Sequence, residues 1–536
     1  MYESYDAPTM SIVNDYIKTI TFVDDEIIFD DNVAEDNKIN ANLLMKIFAS
    51  KGKFTTFLQY TNHSEKDSIL KLLKQSDTCV IDWYLKIKPG DGGESDPDED
   101  EDDVEIQAVR GPYAIELIKD LITTNDGRLK LIVIYTAEIG AEGITKALYD
   151  GLNTCGLVVI KHEECLLEVC DIKISVLFKP TVKVHSKNDI VAKRIVKYDD
   201  LPDVVVKELS FFTNGLLSNT IMESINILRN STGKLLSTFH KDLDAAFLAH
   251  RALLPNGDDA NHLLVEAILG AIRSIFYYSG VANLNNTQYI SEYIKKTFAY
   301  DHHFAIDEVT NRTFLRDSLI LIQELGHLGF FHKIGLSSSQ VKKIDKDFHN
   351  KVHTYYSKTP STELKVSEEF SILTHHKSIF KAANTVPKLS LGTVIQGVVS
   401  GEYLVCIQQS CDSVRIKPEE SRRFIFLPLK NQEDKKNIDI VTREGGEYRY
   451  FKVDYSNSYK LRTIKFSTNT GYILAVWDGS NFIFEPDYSS CDFDPAQEKF
   501  RWSFDLKDLH AQRILNEFAS KMSRVGLDES EWLRKS

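Results

Sequence analysis

Five residues offer a joint chemistry: Asp24, Asp25, Asp82, Thr136 and Lys179. Each lies at the end of an apolar run. The run 17–23 ends in Asp24 and Asp25, and Val80 and Ile81 lead into Asp82. The run 129–135 ends at Thr136, and the run 172–178 ends at Lys179 and Pro180. Such runs read as buried strands, and open α/β sheets collect ligands beyond the C-terminal tips of their strands. A carboxylate placed there can accept a phosphoryl group if a cation offsets the repulsion between two anions. Mg2+ does so with one or two carboxylates, waters and a phosphate oxygen, which makes Asp24 and Asp25 candidate ligands beside Asp82. A lysine ammonium supplies a point charge for the phosphoryl oxygens, and a threonine hydroxyl can bond the same oxygens. Without a cation, three close carboxylates push at least one pKa upward.

The elements that must position these residues alternate. Strands are expected at 18–23, 54–60, before Asp82 and at 129–135, with helices at 40–50, 65–74, 112–122 and 142–152. Alternation with nearly continuous apolar strands indicates a doubly wound α/β domain, covered on both faces. The expected domain is 1–185, interrupted at 86–110 by an acidic insertion that includes Asp98, Asp100, Asp102 and Asp103. A block of this composition cannot bury apolar area, so a solvated loop is expected. It is either a tolerated surface insertion or a gate over the Asp82 site.

Residues 190–335 read as an α-helical bundle, with apolar residues three and four apart in 214–239, 242–253, 260–279 and 311–328. Residues 336–387 are a mixed linker, and 388–536 a mainly-β module of short alternating runs closed by a helix at 509–525.

A net charge of −14 weighs against a nucleic-acid surface. No apolar run approaches the roughly 18 residues that span a bilayer, so no membrane contact is expected. The N-terminus lacks the basic and apolar regions of a secretory leader. Seven cysteines without a CxxC pair suit a reducing cytosol better than a disulfide framework. The expected location is therefore cytoplasmic.

The motifs Phe22-Val23-Asp24-Asp25-Glu26, Val80-Ile81-Asp82-Trp83-Tyr84, Ile134-Tyr135-Thr136-Ala137 and Phe178-Lys179-Pro180 resemble those of receiver domains of two-component response regulators. The resemblance implies a flavodoxin-like sheet of order 2-1-3-4-5. It implies Asp82 as phosphoacceptor, with Asp24, Asp25, Asp82 and the Tyr84 carbonyl around Mg2+, Thr136 as switch hydroxyl and Lys179 as phosphate-binding lysine. The interval from Thr136 to Lys179 is longer than usual, and Lys161 stands at a more ordinary distance. Lys179 is preferred because Pro180 follows it. Val176 takes the place of the usual switch aromatic. In overall layout the chain is also similar to divergent receivers of Detocs-type antiphage phosphorelays, which implies a phosphate reservoir or adaptor.

The partner so implied is a cognate histidine kinase, with a second regulator or effector downstream; the helical bundle, read from its own periodicity, is a candidate homodimer surface. No conventional enzyme activity is expected beyond Mg-dependent phosphorylation and dephosphorylation of the aspartate. Two other readings stand beside this one. One is a phosphorylation-controlled effector enzyme in the C-terminal module, where Cys411 is a candidate nucleophile. The other is a non-phosphorylated pseudo-receiver scaffold.

Overall fold

The computed structural model describes residues 5–29, 38–86, 111–137, 141–180, 190–254, 257–305, 313–357, 363–382, 384–417, 420–433, 437–455, 460–488 and 498–522. Most of the acidic insertion, 87–110, lies outside the described residues. The chain divides into two units, 1–303 with 314–336 and 304–313 with 337–536.

In the first unit, α1 (Asp6–Tyr16) precedes β1 (Thr19–Asp24), α2 (Ala41–Ser50), β2 (Phe54–Gln59), α3 (Lys66–Gln75) and β3 (Thr78–Ile81). There follow α4 (Pro112–Thr123), β4 (Lys130–Thr136), α5 (Ala141–Thr154), β5 (Val159–Glu163), β6 (Leu166–Val169) and β7 (Ile172–Phe178). The sheet order is β2-β1-β3-β4-β7-β6-β5. β2, β1, β3, β4 and β7 pair in parallel, while β6 and β5 pair antiparallel beyond β7. The sheet thus departs from the expected five-stranded 2-1-3-4-5 order by an added hairpin. That hairpin occupies the chain between α5 and β7, which is why Thr136 and Lys179 are so far apart in sequence.

Burial explains the strand composition. One face of the sheet, with Val23, Ile81, Ile132, Ile134 and Val176, packs on Leu73 of α3, Leu117 of α4 and Leu148 of α5. The other face, with Ile20, Phe22, Val80, Val133 and Tyr135, packs on Val13 of α1 and on Leu44 and Phe48 of α2. Fully burying one such side chain stabilises the fold by roughly 1.5–3 kcal/mol, so strands buried on both faces must be apolar nearly throughout.

The second face is completed by a helix from the region expected to be a separate bundle. After α6 (Ile190–Arg194), α7 (Leu201–Thr213) adds Leu201, Val205 and Leu209 to that core. Its Glu208 accepts from Ser175 Oγ of β7 at 2.8 Å and from both Arg194 guanidinium nitrogens, at 3.1 and 3.0 Å. Arg194 Nε also donates to the Val176 carbonyl at 3.0 Å. A buried carboxylate is tolerated here because a two-pronged guanidinium and a hydroxyl satisfy it.

The unit continues through α8 (Leu216–Thr238), α9 (Asp244–Leu253), α10 (Ala260–Ser279), α11 (Thr287–Thr297) and α12 (Arg316–Lys333). Gly326, at φ 68°, breaks α12. Among the described residues no helix is long and apolar enough to cross a membrane.

The second unit opens with α13 (Ser338–Tyr355) and α14 (Glu363–His375), so the expected linker is largely helical. A sheet of nine strands follows: β8 (Thr393–Gly397), β9 (Tyr403–Cys406), β10 (Ser421–Asn431), β11 (Ile440–Glu444), β12 (Glu447–Val453), β13 (Arg462–Ser467), β14 (Val476–Trp477), β15 (Phe482–Phe484) and β16 (Phe500–Asp505). The order is β11-β12-β10-β9-β8-β16-β15-β14, with β13 also on β10. Alternate residues such as Val394 and Ile395 enter two different cores, one of them closed by Ala511 and Ile514 of α15 (Asp508–Met522). Cys406 is buried in one core, whereas Cys411 is exposed on a short turn with its sulfur 3.7 Å from Gln409 Oε1.

Candidate functional site at the strand tips

The parallel register aligns the ends of β1, β3, β4 and β7. Val23 pairs with Ile81, Ile81 with Ile134, and Thr136 with Phe178. Asp24 and Thr136 are therefore last residues of their strands, while Asp82 and Lys179 are the first residues beyond theirs. Backbone hydrogen bonds hold this level. The Asp82 amide donates to the Val23 carbonyl at 2.9 Å, and the Lys179 amide to the Thr136 carbonyl at 2.8 Å.

Asp24, Asp25, Asp82, Thr136 and Lys179 are each at most 8% exposed. Lys179 Nζ lies 3.3 Å from Asp24 Oδ2 and 3.3 Å from Asp82 Oδ1. Asp24 Oδ1 accepts from the Glu26 amide at 2.8 Å, and Asp82 Oδ2 from the Tyr84 amide at 3.3 Å. Asp82 Oδ1 receives no hydrogen bond of good geometry, so the nearby ammonium is its compensation.

This compensation is partial. Burial pushes Asp82 up to about 7; Lys179 opposes that shift, and Asp24 and Asp25 add to it. Burial, then the Asp24 charge, pushes Asp25 up to about 6. Burial raises Asp24 too, against the pull of Lys179. Burial works against the charge on Lys179, but Asp82 and Asp24 overcome it and its pKa rises. One ammonium sits between two buried carboxylates, Asp24 and Asp82, with a third, Asp25, beside them, so a further positive charge would be favourable here.

Mg2+ fits that deficit, because the donors are hard oxygens and one of them lacks a hydrogen bond. Among the described residues the three carboxylates do not all come within 4.8 Å of one another. A ligand set of two carboxylates at a time, completed by water, suits this spacing and this ion.

Lys161 does not join the group. It is exposed on β5, the outermost strand, opposite Leu167. Val176 is buried in the core beneath α4 and α5. The aromatic neighbour of the site is instead Tyr198, which sequence reasoning missed. Its pKa is raised by burial, and the charges of Lys179, Asp24 and Asp82 act on it. Its hydroxyl donates to the Lys38 carbonyl at 3.2 Å, and its ring centroid lies 6.1 Å from that of Tyr135. The segment is tied down by a bridge from Phe178 to Ile195 and by the Tyr135 hydroxyl, which donates to the Val196 carbonyl at 2.7 Å. The Phe178–Lys179–Pro180 signal gave no hint that a later segment would return to this edge.

Gly111 was missed as well. It begins the chain again after the acidic insertion, and a Cβ there would fall 2.1 Å from the fully buried Trp83 ring. The residue after Asp82 and the residue before α4 are thus packed face to face, which fixes the root of the insertion.

Residues 16–184 match the family model of the response receiver domain. No curated protein and no solved structure matches the chain. The strand-tip site thus lies wholly within the stretch that matches the response receiver domain, a match that suggests a phosphoacceptor role for that stretch.

Proposed function

We propose that the chain is the phosphoacceptor of a two-component phosphorelay and takes its phosphate on Asp82 from a histidine kinase. The observation that carries this reading is Asp82 Oδ1, buried at a strand tip, without a good hydrogen bond, 3.3 Å from the Lys179 ammonium. An Asp82 oxygen attacks phosphorus while the P–N bond of the donor phosphohistidine breaks, and the departing imidazole nitrogen keeps the electron pair. Lys179 then neutralises a phosphoryl oxygen, and the Thr136 hydroxyl donates to another. Asp24 or Asp25, with Asp82 and the Tyr84 carbonyl, would hold a Mg2+ ion, which would supply the remaining positive charge. Phosphoryl transfer asks mainly for such positioning and charge stabilisation.

The helical and β regions would carry the change to a second regulator or effector, or let the chain act as a phosphate reservoir. A role in an antiphage phosphorelay is part of this proposal and rests on layout. Incubation of the full chain with Mg2+ and phosphoramidate, a small-molecule stand-in for phosphohistidine, tests the acceptor role. The expected product is an acid-stable, base-labile phosphoryl adduct in the wild type that is missing from Asp82→Asn. No adduct on either protein, from phosphoramidate or from a phosphorylated kinase, would favour a scaffold.

A further inference from the structure

Helix α10 is twenty residues long, and of these only Ala260 is buried. It packs along α8 on one side, yet Leu263, Val265 and Leu269 are about half exposed, and Tyr277 and Tyr278 are 78% and 84% exposed. A helix that is apolar nearly all round belongs in a core. The two tyrosines alone offer roughly 300 Å². Tyr278 also lines a cavity against α8, so the outward stripe itself, with Leu263, Leu269 and Tyr277, offers on the order of several hundred Å², the lower end of what a specific interface buries per partner.

Charge indicates which partner. The outward stripe of α10 carries Glu266 and Arg273, seven residues apart and centred on Leu269 and Gly270. Among the described residues neither charge has an ion-pair partner. A two-fold axis between Leu269 and Gly270 would set Glu266 of one copy against Arg273 of the other, twice. It would also place each Leu269 against a Gly270, where a Cβ would meet nothing within 4 Å. An isologous interface needs a patch complementary to itself, and this stripe is complementary to itself only when antiparallel.

We infer that α10 pairs antiparallel with α10 of a second copy of this chain, with Glu266 and Arg273 fixing the register. The pairing is independent of the phosphoacceptor site.

The test is sedimentation equilibrium of the full chain with charge swaps. The wild type should be a dimer at micromolar concentration. Glu266→Arg alone and Arg273→Glu alone each set like charges together at two places, and each should raise the dimer dissociation constant by at least about 10-fold. The double swap should restore it to within about 3-fold, and Leu269→Lys should give a monomer. All three positions are exposed, and circular dichroism should be unchanged. A wild-type monomer at tens of micromolar would overturn the inference, because something other than a second copy would then have to cover α10. A dimer indifferent to the single swaps, or not rescued by the double swap, would overturn the antiparallel register.

Discussion

In the first unit, which holds the receiver match, Asp24 and Asp82 are buried against the Lys179 ammonium and Asp25 is buried next to Asp24, all three with pKa values forced upward. In the second unit, His375 and His376 are buried and the half-buried His510 ring lies 5.1 Å from that of His375, all three with pKa values forced downward. The histidines are at rest. The Val441 amide donates to His375 Nε2 at 3.2 Å, His375 Nδ1 bonds the Ser371 carbonyl, and His376 Nε2 donates to the Val441 carbonyl at 2.8 Å. A neutral His375 protonated on Nδ1 and a neutral His376 protonated on Nε2 satisfy these bonds, with His375 Nε2 also 3.0 Å from the Val441 carbonyl, and burial lowers both pKa values where α14 docks on the edge strand β11. Burial, with His375 next, takes His376 down to about 3, and burial with Arg513 takes His510 down to about 4. Protonation relieves the carboxylates only in part, since it leaves the Lys179 ammonium without its counter-charge. Burial that ends in neutrality builds a fold, and burial that leaves a charge deficit prepares a site.

The comparison can be broken most severely at Lys179. Lys179→Met leaves the buried Asp24 and Asp82 without their cation and should destabilise the first unit by roughly 3–5 kcal/mol at pH 7.5. Hydrogen exchange on the full chain, read separately over the two units, measures this. Equal protection in wild type and variant would mean the ammonium does not compensate the acids.

The two units should also answer pH with opposite signs. Asp25 and Asp82 hold protons in the folded state that the unfolded chain releases near pH 4, so receiver stability should fall as pH rises from about 4 to 7. The histidines stay neutral where the unfolded chain would bind protons, so second-unit stability should fall as pH drops from about 6.5 to 4. Millimolar Mg2+ at pH 7.5 should raise protection in the receiver unit alone. Parallel slopes in the two units, or an Mg2+ effect that persists in Asp82→Asn combined with Asp24→Asn, would erase the distinction.

Smaller effects sharpen it. Gly111→Ala drives a methyl into the Trp83 indole beside Asp82 and should cost about 1–3 kcal/mol, with a shift in tryptophan emission. His376→Phe keeps the stack on Phe504, where the ring centroids are 4.3 Å apart, but loses the bond to Val441. It should cost about 1 kcal/mol at pH 7.5 and flatten the acid limb of the second unit.

The strand-tip residues were legible because strands buried on both faces leave little room for polar residues except at their ends. The choice of Lys179 over Lys161 had a local basis in Pro180. The hairpin between them was not legible, because its turns lack the usual signal. Cys165 (φ 72°) and Cys170 (φ 52°) adopt positive φ at places where glycine or asparagine would announce a turn. Helix α1 was missed because Pro8 and Thr9 share its buried side with Ile12 and Val13, which blurs the apolar stripe. Tyr198 could not be placed by sequence either. Its approach to the site depends on the Phe178–Ile195 bridge and the Arg194–Glu208 pair, and both are tertiary facts.

The central claim is that Asp82 carries the phosphate, and borohydride trapping reads the modified residue itself. Reduction turns an aspartyl phosphate into homoserine, which peptide mass spectrometry locates. After phosphorylation of the full chain in Mg2+, homoserine at position 82 alone is the predicted result. Homoserine at position 24 or 25 instead, or at none of the three under conditions that label the protein, would contradict it.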